Sequence, residues 1–151
     1  RSDFEGINLD GVKNLVVDYG RCCNPIPGDN VIGYISRGRG LIVHRLSCSN
    51  LSSLSESNDR IVSVNWDTKK NISFKAKIHI SCIDSAGVLN EIADIISKNK
   101  VNIVDVKTDV MEGGLANIWI ICKIGDLSQL KMIMKAILKL KKVDSVERVH
   151  S

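Results

Sequence analysis

The chain has 151 residues, enough for one ordinary domain or two small ones. Hydrophobic residues make up 44% of it and support a folded core, whereas aromatic residues make up only 4%, which disfavours a surface of many base-stacking rings. The net charge of +4 is compatible with RNA contact without being diagnostic of it. No apolar run reaches the roughly 18–20 residues of a membrane-spanning helix. The first residues, RSDFEG, contain no initiator Met and no apolar signal region, so we expect a fragment of a longer protein.

Five cysteines are distributed over the sequence, at positions 22, 23, 48, 82 and 122. An odd number that includes an adjacent pair argues against a secreted disulfide framework. It predicts reduced thiols and a cytoplasmic location. Cys82 and Cys122 lie at inward positions of predicted strands, so we interpret them as core residues.

Residues 1–66 predict a small, mainly β domain. Four apolar runs have the length and composition of strands: 15–17, 31–35, 41–43 and 61–64. Glycines on either side of Arg39 predict a turn between the second and third runs, and Ser47 or Ser49 is suited to cap a short helix across 48–57. A domain this small often needs an additional stabilising cross-link, such as a bound metal ion.

One segment of this domain combines four side chains suited to metal binding, which are Cys22, Cys23, His44 and Cys48. Three thiolates and an imidazole form the donor set of a closed structural zinc site. The adjacent cysteines can both bind only if the chain turns at Cys23-Asn24-Pro25, because neighbours in a strand point to opposite sides. The alternative is that the cysteines are small buried hydrophobic residues and that His44 is an ordinary histidine at a strand end.

Four arginines lie in or beside the glycine-rich hairpin of the same segment: Arg21, Arg37, Arg39 and Arg45. Guanidinium groups on such a turn suit phosphate contacts, because glycine lets the backbone approach closely and arginine donates paired hydrogen bonds. The alternative is a solvated hairpin tip. The sequence Gly38-Arg39-Gly40 does not match a nucleotide-binding loop.

A polar, charged linker at 67–73 separates this domain from a second one at 74–151. The predicted elements of the second domain are a strand over Phe74–Ile83, a helix from Gly87 to Asn99, a strand from Val101 to Val110, a glycine turn at 112–114, a strand over Leu115–Ile124, a helix capped by Asp126, and a last strand containing Val143, Val146 and Val149. The order βαββαβ predicts a ferredoxin-like sandwich, with two helices on one face of a four-stranded antiparallel sheet. The predicted fold class of the whole chain is therefore α+β.

The turn Asp84-Ser85-Ala86-Gly87 leads into the first of these helices. Amide groups at a helix N-terminus attract anions, such as the carboxylate of an amino acid. An ordinary tight turn between strand and helix is the alternative. The sequence contains no paired carboxylates, no zinc-protease motif and no nucleophile elbow, so we predict no catalytic residues.

Two segments resemble a known family. RCCNPIPGDNVIGYISRGRGLIVHRLSC resembles the zinc-finger-like, or ribosome–intersubunit (RIS), domain in the C-terminal region of long Rel/SpoT-type (p)ppGpp synthetase/hydrolases. DSAGVLNEIADIISKNKVNI and VDSVERV resemble the ACT domain of the same proteins. The resemblance covers most of the chain, from Gly11 to Val149.

This resemblance implies roles for particular residues. The two cysteines at 22 and 23, with His44 and Cys48, fall on the family's metal-candidate positions. The positions that match the ACT ligand loop are Asp84, Gly87, Val88, Leu89 and Asn102. Ala86 stands where proline or an Arg-Pro pair is common in that loop.

The resemblance also implies a function. In that family the C-terminal region binds the ribosome, contacts ribosomal RNA and tRNA, and relays amino-acid starvation to N-terminal synthetase and hydrolase domains. ACT domains bind amino acids, branched-chain ones in some members, and pair through their sheets. We therefore expect a non-catalytic regulatory region, with zinc as its cofactor and a homodimer formed through the ACT sheet. The alternative is an allosteric amino-acid-binding or dimerisation module of another enzyme of amino-acid metabolism, with the first domain as a passive scaffold.

Overall fold

The computed structural model describes residues 7–8, 16–36, 40–51, 60–67 and 72–149. These residues form two compact units, and the boundary between the units falls between Ile72 and Ser73. Among the described helices, none is long and apolar enough to span a membrane. All five cysteines are free thiols.

The first unit is built from short strands. They are β1 (Ile7–Asn8), β2 (Val17–Tyr19), β3 (Val31–Ser36), β4 (Gly40–Arg45), β5 (Arg60–Val62) and β6 (Asn65–Trp66). Four of them form a sheet in the order β2-β4-β3-β5, in which β2 runs parallel to β4 and the other pairs are antiparallel. The remaining two, β1 and β6, pair with each other.

Among the described residues of this unit, one buried aliphatic cluster consists of Val17, Leu41, Val43 and Val64. Tyr19 and Trp66 stack beside it with ring centroids 5.9 Å apart, and the Trp66 indole N–H donates to the backbone oxygen of Asp29. The predicted strand at 61–64 is instead two short strands, with a break at 63–64. The predicted helix across 48–57 lies mostly outside the described residues, as does the turn at 37–39.

The second unit has the predicted βαββαβ order. Its elements are β7 (Phe74–Ile83), α1 (Val88–Lys98), β8 (Asn102–Met111), β9 (Leu115–Ile124), α2 (Leu127–Leu138) and β10 (Val143–Arg148). The strands form an antiparallel sheet in the order β10-β7-β9-β8, with β7 and β9 in the centre and β8 at one edge. The predicted ferredoxin-like fold is confirmed.

Alternation along the two central strands explains which sheet face the helices cover. On β7 and β9 every second side chain is buried, and those with no accessible surface include Ile78, Ile80, Ile120 and Cys122. The helices contribute Ile92 and Ile96 from α1 and three residues of α2, namely Leu130, Ile133 and Ile137. The predicted core positions of Cys82 and Cys122 are confirmed, since both are fully buried.

The second helix begins where the sequence indicates. The Asp126 carboxylate accepts a hydrogen bond from the Gln129 amide at 2.8 Å, and the Gln129 side chain in turn accepts one from the Gly125 amide. These reciprocal bonds satisfy amide groups that the helix itself leaves without partners.

Candidate metal centre and ligand groove

Four side chains converge at one end of the β3–β4 hairpin. The Cys22 sulfur lies 3.4 Å from Nδ1 of His44 and 3.4 Å from the Cys48 sulfur, and the Cys23 sulfur lies 3.7 Å from the same imidazole nitrogen. All four ligand atoms lie within 4.8 Å of one another. The structure therefore brings together the four residues that the sequence singles out.

A tight turn explains how two adjacent cysteines point to the same place. The Gly20 carbonyl accepts hydrogen bonds from the amides of Cys23 and Asn24, which closes one helix-like turn over residues 20–24. Asn24 ends this turn with φ of 45°, a left-handed conformation that asparagine tolerates better than most residues. The predicted turn is present, and it begins before the proline rather than at it.

Gly20 also supplies the space for the histidine ring. A Cβ atom on Gly20 would lie 2.6 Å from Nδ1 of His44, well inside van der Waals contact. The Gly20 amide donates to the Val43 carbonyl at 2.8 Å, which ties the turn to the strand that carries the histidine. Only a residue without a side chain permits this approach.

Backbone and charged groups surround the cluster. The Arg45 amide donates to the Cys23 sulfur at 3.4 Å, an interaction that stabilises a thiolate ligand. The Cys48 amide donates to the Arg45 carbonyl, which turns the chain back so that Cys48 faces the histidine. Arg45 Nε lies 3.7 Å from an Asp29 carboxylate oxygen, and that oxygen also accepts from the Ile26 amide.

The protonation of the cluster follows from its burial. Burial raises the pKa of the Cys23 thiol to about 12, and burial with the neighbouring Cys48 raises the pKa of Cys22. Burial lowers the pKa of His44, which favours the neutral imidazole that metals bind. Three sulfurs and a neutral imidazole at these separations fit a tetrahedral zinc ion, whose sulfur ligands would lie about 3.8 Å apart.

The four arginines of the predicted RNA surface differ in their surroundings. Arg21 is exposed beside the cysteine pair, whereas the Arg45 side chain is only 13% exposed and lies against Asp29. Arg37 and Arg39 lie outside the described residues. RNA contact by these residues stays a prediction.

A groove of about 250 Å³ lies in the second unit, between the start of α1 and the adjoining strands. Its lining includes four predicted ligand residues, Asp84, Gly87, Val88 and Leu89. Ser85, Thr108, Val110, Ala116 and Ile118 complete most of the wall. Gly87 caps the helix with φ of 89° and offers no side-chain hydrogen bond to the first turn.

Two features of this groove differ from the sequence prediction. Asn102 lies at the far end of β8, where it pairs with Lys123, so it is about 26 Å along the strand from the groove residue Val110. Conversely, the buried hydroxyl oxygen of Ser85 has no hydrogen-bond partner among the described residues, although the sequence prediction did not include Ser85. The one signal that could have found it is its position between Asp84 and the start of the helix.

Comparison with known proteins identifies the class of both units. Residues 7–67 match the family model of the RelA/SpoT RIS domain, and residues 70–148 match that of the ACT domain. The chain therefore belongs to the ACT-domain family and carries a RIS domain before its ACT domain.

Curated relatives match nearly the whole chain rather than one unit. GTP pyrophosphokinase of Myxococcus xanthus is 36% identical over 149 residues, which cover 99% of this chain and 19% of that protein. The bifunctional (p)ppGpp synthase/hydrolase RelA of Mycobacterium tuberculosis is 28% identical over 150 residues, or 99% of this chain and 20% of that protein. The chain spans about a fifth of the length of the curated relatives it matches.

A solved structure is similar to the second unit. The ACT domain from GTP pyrophosphokinase of Chlorobium tepidum is 27% identical, with a TM-score of 0.46. The match covers 51% of this chain and 99% of the chain of that structure.

Replacing Gly20 by alanine tests the geometry of the cluster. We expect Gly20→Ala to displace the His44 ring, because the new methyl group would occupy its position, and therefore to make Cys22 and Cys23 react faster with a thiol reagent. Ser49→Ala, an exposed change next to Cys48, is the control and should leave the rates unchanged. Equal thiol reactivity in Gly20→Ala and the unaltered chain would contradict the described packing.

Proposed function

We propose that this chain is the non-catalytic regulatory region of a stringent-response (p)ppGpp synthetase/hydrolase. In this proposal the RIS unit binds the ribosome, the ACT unit binds an amino acid, and the signal passes to catalytic domains elsewhere in the protein. The main support is the 36% identity to a GTP pyrophosphokinase over 99% of the chain, which includes both units. The RIS match weighs against a module of another amino-acid-metabolism enzyme.

The first part of the proposal is that Cys22, Cys23, His44 and Cys48 bind one zinc ion. The unit around them is small, and single domains below about 70–80 residues often need a metal or another cross-link to be stable. Zinc held by ligands from two turns and from strand β4 would fix these segments to one another and add its binding free energy to folding. The residues that hold the metal are thus also the residues that hold the hairpin.

Zinc binding should tighten as pH rises. The thiols must lose their protons to bind, and below their raised pKa each pH unit changes the fraction of thiolate about tenfold. The lowered pKa of His44 keeps protons from competing there until lower pH. Competition with a chromogenic chelator between about pH 6 and pH 8 should give an apparent affinity that rises at least tenfold per unit. A pH-independent affinity would exclude thiolate ligands.

The second part of the proposal is ribosome binding by the arginine segment. Arg21 is exposed next to the metal cluster, and Arg37 and Arg39 lie in the sequence between the end of β3 and the start of β4. Guanidinium groups suit phosphates of ribosomal RNA, because each can donate paired hydrogen bonds.

Charge reversal in this loop tests the contact. Arg37→Glu combined with Arg39→Glu should lower cosedimentation with ribosomes at least tenfold at moderate salt, because two phosphate contacts become repulsive. Lys131→Glu combined with Lys135→Glu makes the same charge change on exposed positions of α2 and serves as the control. If both double variants pellet with ribosomes equally well, the loop does not form the contact.

The third part of the proposal is that the groove at α1 binds a branched-chain amino acid. The first-turn amides of α1 and the unpartnered Ser85 hydroxyl suit the carboxylate, and Asp84 suits the ammonium group. Val88, Val110 and Ile118 line the rest of the groove and suit an aliphatic side chain. The groove therefore offers a partner for each part of a free amino acid.

A second copy of the chain would complete this groove. β8 is the edge strand, and all ten of its residues are exposed, including Val104, Val106 and Met111. An uncovered apolar edge of this length favours pairing with another strand. If two copies of β8 pair antiparallel about an axis at Val106, Asp105 opposes Lys107 of the second copy, and Asn102 comes close to Val110 of the second copy. The distant Asn102 thereby becomes a groove residue.

A charged residue at Val106, on the proposed two-fold axis, tests whether two copies of the chain share the groove. Val106→Lys would oppose itself in the dimer, so we expect monomers by light scattering and at least tenfold weaker binding of leucine, isoleucine or valine by calorimetry. Leu138→Lys, an equally polar change at an exposed position of α2, should preserve the dimer and the affinity. A monomeric Val106→Lys variant with unchanged affinity would refute the shared groove.

A further inference from the structure

Solvent reaches the four residues of the metal cluster to different extents. Cys22 is half-buried, whereas Cys23 has no accessible surface and Cys48 is only 7% exposed. His44 is buried to the same degree as Cys48. A small molecule in solution therefore meets the Cys22 sulfur first, and Cys22 is the position at which the cluster is open to chemical modification.

A second sulfur, that of Cys48, lies beside this open position. The two sulfur atoms are 3.4 Å apart, although the residues are 26 positions apart in the sequence. A disulfide bond is about 2.0 Å long, so the two sulfurs need to approach each other by about 1.4 Å. Both residues lie outside the strands, so a movement of this size leaves the sheet intact.

The adjacent Cys23 is a less suitable partner for Cys22. Cα atoms of neighbouring residues are about 3.8 Å apart, whereas the two Cα atoms of a disulfide are usually about 4.4–6.8 Å apart. The Cys23 sulfur also accepts a hydrogen bond from the Arg45 amide and lies 3.7 Å from Nδ1 of His44, which holds it on the inner side of the cluster. The geometry therefore favours a bond from Cys22 to Cys48 over a bond between the two neighbours.

We propose that Cys22 and Cys48 form a reversible disulfide when a peroxide reaches the cluster. Hydrogen peroxide first transfers one oxygen atom to the Cys22 thiol, which becomes a sulfenic acid, and one water is released. The Cys48 thiol then displaces the hydroxyl group, so that the sulfur–sulfur bond forms and a second water leaves with the Cys48 proton. In total, two thiols lose two hydrogen atoms and one peroxide is reduced to two waters.

This bond would exchange one cross-link of the first unit for another. It removes two of the four donors of the proposed zinc site, and Cys23 with His44 cannot complete a four-coordinate site alone. The disulfide itself still joins the turn over residues 20–24 to the loop that carries Cys48. The inference thus goes beyond the proposed function. The disulfide depends only on the positions of the two sulfurs, and only the release of zinc rests on the proposed metal site.

Oxidation of the full chain with a small excess of hydrogen peroxide tests the proposal. The chain is reduced and loaded with zinc beforehand, and the remaining thiols are then alkylated under denaturing conditions. Tryptic cleavage after arginine places Cys22 and Cys23 in one peptide, 22–37, and Cys48 in another, 46–60, so the proposed bond joins two peptides. We expect mass spectrometry to find this cross-link, fragmentation to assign it to Cys22, and both cysteines of the second unit to be alkylated.

The release of zinc and the reversal of the bond are followed in the same reaction. A chromogenic chelator should record about one zinc ion released for each disulfide formed, and dithiothreitol should restore both the thiols and zinc binding. The oxidised chain should melt at a higher temperature than the reduced chain stripped of zinc, because a disulfide restricts the unfolded state. Zinc that stays bound after the disulfide forms would refute the exchange. A chain that binds no zinc and still forms the disulfide would refute the metal site and support the disulfide.

Two matched variants identify the partner of Cys22. Cys48→Ser should form no cross-link and should leave Cys22 as a sulfenic acid that a dimedone probe labels. Cys82→Ser is the control, since its hydroxyl can keep the contact with the Ala116 carbonyl, and it should form the cross-link at the rate of the unaltered chain. Because Cys48→Ser also removes a zinc donor, the unaltered chain is oxidised without zinc as well, and the same cross-link is expected. A bond from Cys22 to Cys23, a disulfide between two chains, or no disulfide at all in the unaltered chain would overturn the inference.

Discussion

The backbone turn at Gly20–Asn24 is the constraint on which the first unit depends. Adjacent cysteines normally point to opposite sides of a chain, and here hydrogen bonds to the Gly20 carbonyl bring both toward His44. The same glycine leaves room for the imidazole ring. The turn, the strand that carries His44 and the loop that carries Cys48 therefore meet at the four metal-candidate side chains.

The second unit is stabilised in a different way. Continuous alternation along β7 and β9 buries one sheet face under two helices, so its core needs no metal. Its candidate functional surfaces lie where this regular pattern stops. The groove forms at a helix start that has no side-chain cap, and the proposed dimer forms at an exposed edge strand. A regulatory module suits this division, because the core can stay rigid while its surfaces exchange partners.

The sequence predicts these two units unequally well. The limits of Phe74–Ile83 and Leu115–Ile124 agree with the prediction, because two-residue periodicity and a glycine turn define a long hairpin. In the first unit the strands are two to six residues long, too short for a clear period, so the run at 61–64 concealed a break.

For the candidate metal site, the sequence predicts the side chains but not the backbone geometry that brings them together. Donor chemistry alone identifies Cys22, Cys23, His44 and Cys48, because three thiols and a histidine are an uncommon combination. The close approach of Gly20 and the left-handed Asn24 are properties of the folded backbone, so the sequence does not reveal them. Asn102 is a further case, since its sequence position matches a ligand pattern although it lies far from the groove of its own chain.

The metal content of the chain, purified without chelator and measured by elemental analysis, tests the central claim most directly. The account predicts one zinc ion per chain, no zinc in the His44→Ala variant, and a lower melting temperature of the first unit in that variant. His79→Ala, in the second unit, should keep the zinc. A folded chain that contains no metal, and whose His44→Ala variant melts at the same temperature, would contradict it.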